Sequence, residues 1–334
     1  MIRIAVDAMG GDHAPSAVID GAVAAARHLA VRIALVGQPA ALEQALTSHP
    51  DWQDLGLEIV AAADVVAMSD APAKARKAST SIRVAADLVA KREAAALFSA
   101  GHTGATVLSA YSAFGLIPGV DRPALAATVP TRGGAAVLLD SGATVECRPQ
   151  HLLQFAVMGG VYARVALGIE RPRIGLLSIG EEERKGNELT REAHRLLKAA
   201  PVHFIGNIEG RDIYSGGADV IVCDGFTGNI VLKTSEGLVE AVGALLGDEL
   251  NGTFSSQVGY LLARRAFRRF RRRVDYSEYG GAPLLGVAGL AIVGHGRSSP
   301  KAVRNAIAMT YRFATSDFLQ RVEQEIAAAP VTEQ

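Results

Sequence analysis

The sequence has little cysteine and few aromatic residues. Its 334 residues include two Cys and one Trp, and Phe, Trp and Tyr together make up 5% of the chain. Cys147 and Cys223 lie far apart without a partner at metal-ligand spacing, which argues against a disulfide framework and favours a reducing compartment. No apolar run approaches the roughly 20 residues of a membrane helix, and Asp7 falls where a signal peptide would be apolar. We therefore expect a cytoplasmic protein.

The chain also lacks a net charge, because 34 Lys and Arg balance 34 Asp and Glu. This balance argues against a protein that is basic throughout, so nucleic acid is not an expected partner. Hydrophobic residues make up 49% of the sequence, which supplies a large core and argues against a mainly disordered chain. The charge is nevertheless uneven, since seven Arg fall within residues 264–273.

Short apolar segments that end in Gly, Ser or Asp alternate with longer Ala-rich and Leu-rich stretches of helical period. The short segments predict strands at residues 2–7, 32–36, 57–61, 95–99, 135–140, 174–179, 203–205 and 220–223. The longer stretches predict helices at residues 14–29, 39–48, 81–92, 103–114, 150–167, 188–199, 228–250 and 299–327. This alternation predicts a single α/β domain over residues 1–334, in which a mostly parallel sheet carries helices on both faces and binds its ligand at the carboxyl ends of the strands.

Several common catalytic motifs are missing. The sequence contains no GxxxxGK[ST], no HExxH and no GxSxG, and no clean GxGxxG follows the first predicted strand. Its His residues have no metal-ligand spacing, and neither Cys has the flanking residues of a known nucleophile. We therefore expect no metal, no cofactor and no covalent protein intermediate, and we favour inorganic phosphate or a phosphoryl group over a nucleotide as ligand.

Gly-rich segments follow three of the predicted strands. Glycine lets the backbone approach a ligand, and helix starts offer backbone N–H groups to an anion. Two such helix starts, at strand ends of one sheet, favour a phosphate site; the alternative for each loop is a simple turn with helix capping. The predicted binding residues are Asp7, Gly10, Gly11, Ser99, Gly101, His102, Thr103, Gly104, Asp224, Gly225 and Thr227, with Asn229 as a further polar side chain.

A charged segment, residues 178–189, follows the sixth predicted strand. Lys185 beside Gly186 could reach a cleft there and neutralise an oxyanion or a phosphate. The alternative is an ordinary solvated Lys among acidic neighbours.

The Arg cluster has a helical pattern of its own. An apolar stripe at spacing 3, 4, 3, 4 is formed by Tyr260, Ala263, Phe267, Phe270 and Val274. The rest of the helix surface carries Arg264, Arg265, Arg268, Arg269, Arg271, Arg272 and Arg273. Phe267 and the first six of these Arg residues are the predicted docking residues. This amphipathic excursion, residues 251–276, could bind an anionic membrane or an acidic protein. The alternative is that its apolar stripe packs on a partner subunit while the Arg residues are solvated.

Seven motifs occur in an order that resembles the bacterial phosphate acyltransferase family, which makes acyl phosphate from acyl-acyl-carrier protein at the start of phospholipid synthesis. The motifs are AVDAMGGDHAP at 5–15, SAGHTGA at 99–105, DRPALA at 121–126, LLDSGA at 138–143, KGNELT at 185–190, CDGFTGN at 223–229 and YGGAPLLG at 279–286. They extend over nearly the whole chain. His102, Thr144 and Ser178 stand where the family usually has Asn, and each keeps a hydrogen-bonding side chain.

The resemblance implies a three-layer α/β fold like that of isocitrate and isopropylmalate dehydrogenases. It also implies a homodimer at the inner membrane surface, with acyl carrier protein and phosphate as substrates and a membrane glycerol-phosphate acyltransferase as a possible downstream partner. Lys185 and Asn229 would then stabilise charge on the reacting groups. Two alternatives are an NAD-dependent dehydrogenase of the related fold and a non-catalytic, membrane-associated scaffold for acyl carrier protein.

Overall fold

The computed structural model describes residues 1–274 and 280–328. Within these ranges the strands are β1 (Ile2–Asp7), β2 (Val31–Gly37), β3 (Leu57–Ala61), β4 (Ala96–Ser99), β5 (Ala124–Leu125), β6 (Ala127–Thr131), β7 (Gly134–Leu139), β8 (Ile174–Leu177), β9 (Phe204–Ile208), β10 (Val220–Val222), β11 (Ala282–Leu285) and β12 (Leu290–Val293). The α-helices are α1 (Ser16–Ala26), α2 (Pro39–Leu46), α3 (Ser81–Ala90), α4 (Thr103–Phe114), α5 (Pro149–Leu167), α6 (Glu188–Ala199), α7 (Gly225–Gly252), α8 (Phe254–Val274), α9 (Pro300–Ala314) and α10 (Phe318–Ala328).

The strands form two sheets instead of the single sheet that the sequence pattern predicts. The first has seven strands in the order β3-β2-β1-β4-β12-β11-β5, and the second has five in the order β6-β7-β10-β8-β9. Most pairs are parallel, whereas β11 runs antiparallel to both of its neighbours and β6 runs antiparallel to β7. A regular alternation of strands and helices does not specify which strands pair, so it is equally compatible with one sheet or two.

Helices cover both faces of the first sheet. Ile4 and Val6 of β1 point to the core cluster that contains Val18 of α1 and Val303 of α9. Ala5, between them, belongs to a second cluster with residues of α3. Successive side chains of a strand point to opposite faces, and the apolar residues on both faces of β1 therefore bury the sheet between two helical layers. The predicted α/β fold with helices on both faces is confirmed.

The second sheet is covered by α5 on one face and by the start of α7 on the other. Val220 and Val222 of β10 pack in the same cluster as the buried residues of α5. Ile221 of β10 points the other way, into a cluster that Val231 and Leu232 of α7 border. This packing fixes the first turns of α7 against the carboxyl end of β10.

Beyond its first turns, α7 continues into an exposed hairpin with α8. The predicted excursion over residues 251–276 corresponds to α8, which begins at Phe254; residues 275 and 276 lie outside the described part of the chain, as does Tyr279 of the YGGAPLLG motif. Arg273 returns to the body of the protein by donating to the Thr131 carbonyl at 3.0 Å. Among residues 1–274 and 280–328, no helix has both the length and the hydropathy of a membrane span.

The helix predicted over residues 299–327 is two helices, α9 and α10. At the break, Thr315 Oγ1 donates to the Tyr311 carbonyl at 3.0 Å and Ser316 Oγ donates to the Phe313 carbonyl at 2.9 Å. These side chains compete with backbone N–H groups for the carbonyls at the helix end. Phe313 and Phe318 then pack edge to face across the break, with ring centroids 4.8 Å apart.

Candidate active site

A cleft of about 360 Å³ lies where the carboxyl ends of strands from both sheets meet. Its walls include Asp12 after β1, Thr103 at the start of α4, Ser141 after β7, Asn229 on α7 and His295 after β12. Ligand sites of α/β proteins commonly lie at this position. The cleft is therefore the candidate active site, and Thr103 and Asn229 are the two predicted site residues that line it.

A buried hydrogen bond joins the two Gly-rich loops of the first sheet. Asp7 is 3% exposed, and its Oδ2 accepts a hydrogen bond from Ser99 Oγ at 2.8 Å. Ser99 Oγ in turn accepts from the Gly101 backbone N–H at 3.1 Å. Burial raises the pKa of the Asp7 carboxyl, although hydrogen bonds from Ser81, Ser99 and Met9 act in the opposite direction. Asp7 and Ser99 thus hold the two loops together through buried hydrogen bonds.

The glycines of these loops permit a very close approach of three strand ends. A Cβ at Gly10 would lie 2.7 Å from Asp7 Oδ2 and 2.8 Å from the Gly101 nitrogen. Gly11 has a φ of 111° and packs against the Gly296 carbonyl, which also accepts from Asp12 N–H at 2.8 Å. A larger residue would push the loops apart, so Gly10 and Gly11 act here by shape.

The start of α4 faces the cleft. His102 is the N-cap residue, and its Nδ1 accepts from the Ala105 backbone N–H at 3.4 Å. The backbone N–H groups of Thr103 and Gly104, the first two of the helix, have no acceptor within the helix. They contribute the positive end of the helix dipole, which favours an anion.

The start of α7 is different, because its donors are largely satisfied within the protein. Asp224 Oδ1 accepts from the Thr227 N–H and Oδ2 accepts from the Thr227 hydroxyl, each at 2.8 Å. The Gly225 N–H donates to the Thr144 carbonyl at 3.0 Å, and a Cβ at Gly228 would overlap the Asp140 carbonyl oxygen. Asp224, Gly225 and Thr227 cap and seat α7, and they are not among the residues that line the cleft.

The two predicted phosphate loops also belong to different sheets. β4, which precedes His102, lies in the first sheet, and β10, which precedes Asp224, lies in the second. The prediction that both loops follow strands of one sheet is wrong. They nevertheless approach the same cleft, because Thr103 lines it from one sheet and Asn229 from the other.

Asp140, a residue of the LLDSGA motif without a predicted role, anchors the turn that packs against the start of α7. It is completely buried, and its carboxylate accepts from the backbone N–H groups of Leu125, Gly142, Ala143 and Thr144. Burial raises its pKa, and these four hydrogen bonds oppose that rise. The available signal was the Asp of the LLDSGA motif directly after a buried strand.

Three further polar residues in the cleft were missed as site residues. Lys233 Nζ lies 2.8 Å from Glu236 Oε2 and 3.3 Å from His295 Nε2. Burial raises the pKa of Glu236, but hydrogen bonds from His295 and Lys233 outweigh that effect and hold it below its usual value. The signal was helical spacing, since Lys233 and Glu236 follow Asn229 by one and two turns on the same face of α7.

Lys185 lies on the loop after β8, and its side chain is exposed. Its backbone N–H donates to the Glu182 carbonyl at 2.9 Å. Lys185 is not among the residues that line the cleft, so the structure does not bring it together with Asn229 there. Its catalytic role stays a prediction.

The Arg-rich helix α8 presents its charge to solvent. The exposed Arg positions are Arg264, Arg265, Arg268, Arg269, Arg272 and Arg273. Phe267 is half-buried beside Tyr260, with ring centroids 5.3 Å apart, while the side chain of Arg271 lies outside the described part. The apolar stripe remains partly open in the single chain, because Tyr260 and Phe270 are exposed.

The two thiols are poor candidates for a nucleophile. Burial raises the pKa of Cys147 to about 12 and that of Cys223 well above its ordinary value. A nucleophilic cysteine needs the thiolate near neutral pH. Both thiols therefore remain protonated, in line with the absence of a nucleophile motif.

The fold as a whole is that of phosphotransacetylases and related α/β proteins. A phosphotransacetylase from Streptococcus pyogenes superposes with a TM-score of 0.62 at 17% sequence identity, covering 94% of each chain. A structure described as a 4-hydroxythreonine-4-phosphate dehydrogenase from Salmonella typhimurium gives a TM-score of 0.52 at 12% identity, covering 93% of this chain and 99% of the other. The predicted relationship to dehydrogenase-like folds agrees with this second likeness.

The sequence defines the family. The model of the family described as "Fatty acid synthesis protein" matches residues 2–321. A phosphate acyltransferase of Acidobacterium capsulatum is 52% identical over 327 residues, which cover 97% of each chain. The chain belongs to this family, as the seven motifs predict, and the prediction of an acyltransferase agrees with the name of that relative.

Proposed function

We propose that the chain transfers a fatty acyl group from the thioester of acyl-acyl-carrier protein to inorganic phosphate and releases acyl phosphate for phospholipid synthesis. The observation that carries this proposal is the 52% identity to a phosphate acyltransferase along 97% of the chain. The cleft supports it, because it combines a helix start suited to an anion with the amide side chain of Asn229.

Phosphate is placed at the start of α4 in this proposal. The Thr103 hydroxyl and the N–H groups of Thr103 and Gly104 would donate to its oxygens. Gly10, Gly11 and Gly101 would let these groups approach the ligand, and Asp7 with Ser99 would keep the loops in place. Thr227 is a weaker phosphate ligand than the sequence pattern indicates, because its hydroxyl already donates to Asp224 at 2.8 Å.

The reaction needs no protein nucleophile. The second pKa of phosphate is roughly 6–7, close to the value for phosphoryl groups, so a substantial fraction is already dianionic near neutral pH. A phosphate oxygen attacks the thioester carbonyl, the C–O bond forms, and collapse of the tetrahedral intermediate breaks the C–S bond. The proton of HPO₄²⁻ ends on the departing thiolate, which gives acyl phosphate and free thiol.

The protein's contribution is alignment and stabilisation of the oxyanion. Fixing phosphate next to the carbonyl removes much of the entropic cost of a reaction between two molecules. In this proposal Asn229 and Lys185 donate to the carbonyl oxygen or to phosphate as charge develops. For Lys185, the loop after β8 would have to bring its side chain to the acyl donor when that donor binds.

The exposed Arg residues of α8 are proposed to dock an acidic surface. Acyl carrier protein and an anionic lipid surface both attract such a helix, and salt weakens both attractions. We also propose a homodimer that buries the partly open apolar stripe, and peripheral association with the inner face of the membrane. A membrane glycerol-phosphate acyltransferase would then receive the product close to where it is made.

Thiol release from acyl-acyl-carrier protein by the purified chain tests the function. We expect release to require phosphate, to saturate with its concentration and to stop when sulfate replaces it. An acyl-coenzyme A of the same chain length is the matched control donor, because it has the same thioester without acyl carrier protein. Release that ignores phosphate would indicate a thioesterase, and reduction of a nicotinamide would support the dehydrogenase alternative.

A further inference from the structure

The cleft contains a basic side chain that belongs to none of the predicted phosphate loops. Lys233 lies one turn after Asn229 on α7, and both line the cleft. Residues four apart on a helix share one face. The Lys233 ammonium and the Asn229 amide are therefore presented to the same space.

The charges around the cleft indicate why such a cation is needed. Asp12 and Glu236 bring carboxylates to its walls, and within the described residues Lys233 and Arg297 are its Lys and Arg side chains. Arg297 is 59% exposed and lies 3.3 Å from Glu240, which is 58% exposed. Lys233 is exposed to a similar extent, 54%, but its partner Glu236 is only 14% exposed, so Lys233 is the cation that a buried carboxylate holds at the cleft wall. A phosphate dianion in the cleft requires such a positive partner.

Glu236 holds the Lys233 ammonium in place and leaves some of its N–H donors available for a ligand. It has three N–H donors, and the Glu236 carboxylate at 2.8 Å takes one of them. Glu236 is the more buried partner, with a side chain 14% exposed. Because Glu236 is fixed on the same helix, it orients the ammonium without consuming all of its hydrogen-bonding capacity.

His295 completes this arrangement. Its Nδ1 accepts from the Arg297 backbone N–H at 3.2 Å, so a neutral ring carries its proton on Nε2. That nitrogen lies 3.4 Å from Glu236 Oε2, the oxygen that Lys233 also contacts. Glu236 therefore links a cation from α7 to the loop that follows β12.

We infer that Lys233 binds the phosphate substrate in the cleft, and that Glu236 and His295 are positioning residues that hold its ammonium toward that ligand. This inference rests on the proposed function for the identity of the anion. It assigns phosphate binding to a residue that lines the cleft and leaves Lys185, which does not line it, to act on the acyl donor.

Phosphate binding to the full chain, measured by calorimetry with inorganic phosphate as the probe, tests the inference. We expect Lys233→Met to weaken binding about tenfold or more, the loss typical of a hydrogen bond to a charged group. Lys233→Arg keeps the charge and should retain part of the affinity. The matched control is Lys91→Met, since Lys91 is an exposed residue that caps the end of α3, before β4 begins.

Steady-state kinetics separate positioning from a general loss of structure. Glu236→Gln should raise the KM for phosphate while the KM for the acyl donor and the melting temperature stay as in the wild type. If Lys233→Met does not fold, Lys233→Gln provides the same comparison. Wild-type affinity for phosphate in the folded Lys233 variant would overturn the inference, as would a wild-type chain that binds no phosphate.

The binding assay does not depend on turnover. A wild-type chain that binds phosphate through Lys233 yet forms no acyl phosphate would contradict the proposed function and support this inference. If the wild-type chain forms acyl phosphate and Lys233→Met leaves the phosphate KM unchanged, the proposed function is supported and this inference is contradicted.

Discussion

Asp7 Oδ2 and Ser99 Oγ lie 2.8 Å apart, and this buried hydrogen bond joins two loops that are 92 residues apart in the sequence. The two residues are direct partners in the parallel register of β1 and β4. Their bond aligns the strand ends that carry Gly10 and Gly101. The candidate phosphate site at the start of α4 therefore depends on a carboxylate that lies beneath it and does not face the ligand.

The buried carboxyl of Asp7 gives a prediction about pH. Burial raises its pKa in the folded state above the unfolded value of 3.8, so ionisation of Asp7 makes folding less favourable as pH rises from about 4 through the folded pKa. Asp7→Asn removes this dependence and keeps the side-chain volume. We expect the stability of the variant relative to wild type to increase between pH 4 and pH 7, as measured by urea unfolding. A relative stability that falls over this range would contradict the account.

Gly10 should tolerate no side chain. In Gly10→Ala the added Cβ would lie 2.7 Å from Asp7 Oδ2 and 2.8 Å from the Gly101 nitrogen, and at least one loop must move. We expect a loss of about 1–3 kcal/mol in the free energy of unfolding together with a large rise in the phosphate KM. Gly133→Ala is the control, because a Cβ there meets no atom within 4 Å. Equal effects of the two substitutions would argue against close packing of the loops.

Lys185 offers a direct test of its predicted role. If it stabilises the oxyanion, Lys185→Ala removes on the order of 3 kcal/mol of transition-state stabilisation, which is about a hundredfold in kcat. Melting temperature and phosphate affinity should stay as in the wild type. Near-normal turnover by the folded variant would remove Lys185 from the mechanism.

The docking role of α8 is tested by charge reversal. Arg268→Glu combined with Arg269→Glu should raise the KM for acyl-acyl-carrier protein, because an acidic donor is then repelled. Sedimentation with anionic liposomes checks the membrane alternative on the same variant. Lys91→Glu with Arg92→Glu reverses a neighbouring pair of exposed basic residues elsewhere on the surface. If neither the KM nor the sedimentation changes, α8 serves as a dimer element alone.

Much of the fold follows from local pattern, and three of the four missed strands have a physical reason. Apolar segments such as residues 2–7 predict β1 with its observed bounds. β6 contains Pro130 and β11 contains Pro283, and proline lowers the strand signal because it cannot donate to the sheet. β5 has only two residues. β5, β6 and β11 were missed for these reasons. β12, a buried four-residue strand without proline, was missed although neither reason applies to it.

The sequence predicted one part of the candidate site and missed another, because the only local signal was glycine at the ends of strands. The glycines that follow predicted strands indicated the loops around Gly10 and Gly101, and these loops contact each other in the structure. The same pattern at Asp224 cannot distinguish an anion site from a helix cap, since both use Asp, Gly and Thr at a helix start. Lys233 lies inside a helix and not in a glycine-rich loop, and only its spacing from Asn229 indicated that it shares the cleft.

The most direct test of the central claim is the phosphorus NMR spectrum of phosphate, acyl-acyl-carrier protein and the purified chain. We predict a new acyl phosphate resonance that grows in a one-to-one ratio with released thiol and needs the intact cleft, so that Asn229→Ala slows it strongly. Thiol release without the acyl phosphate resonance, or an equal rate in the Asn229 variant, would contradict the account.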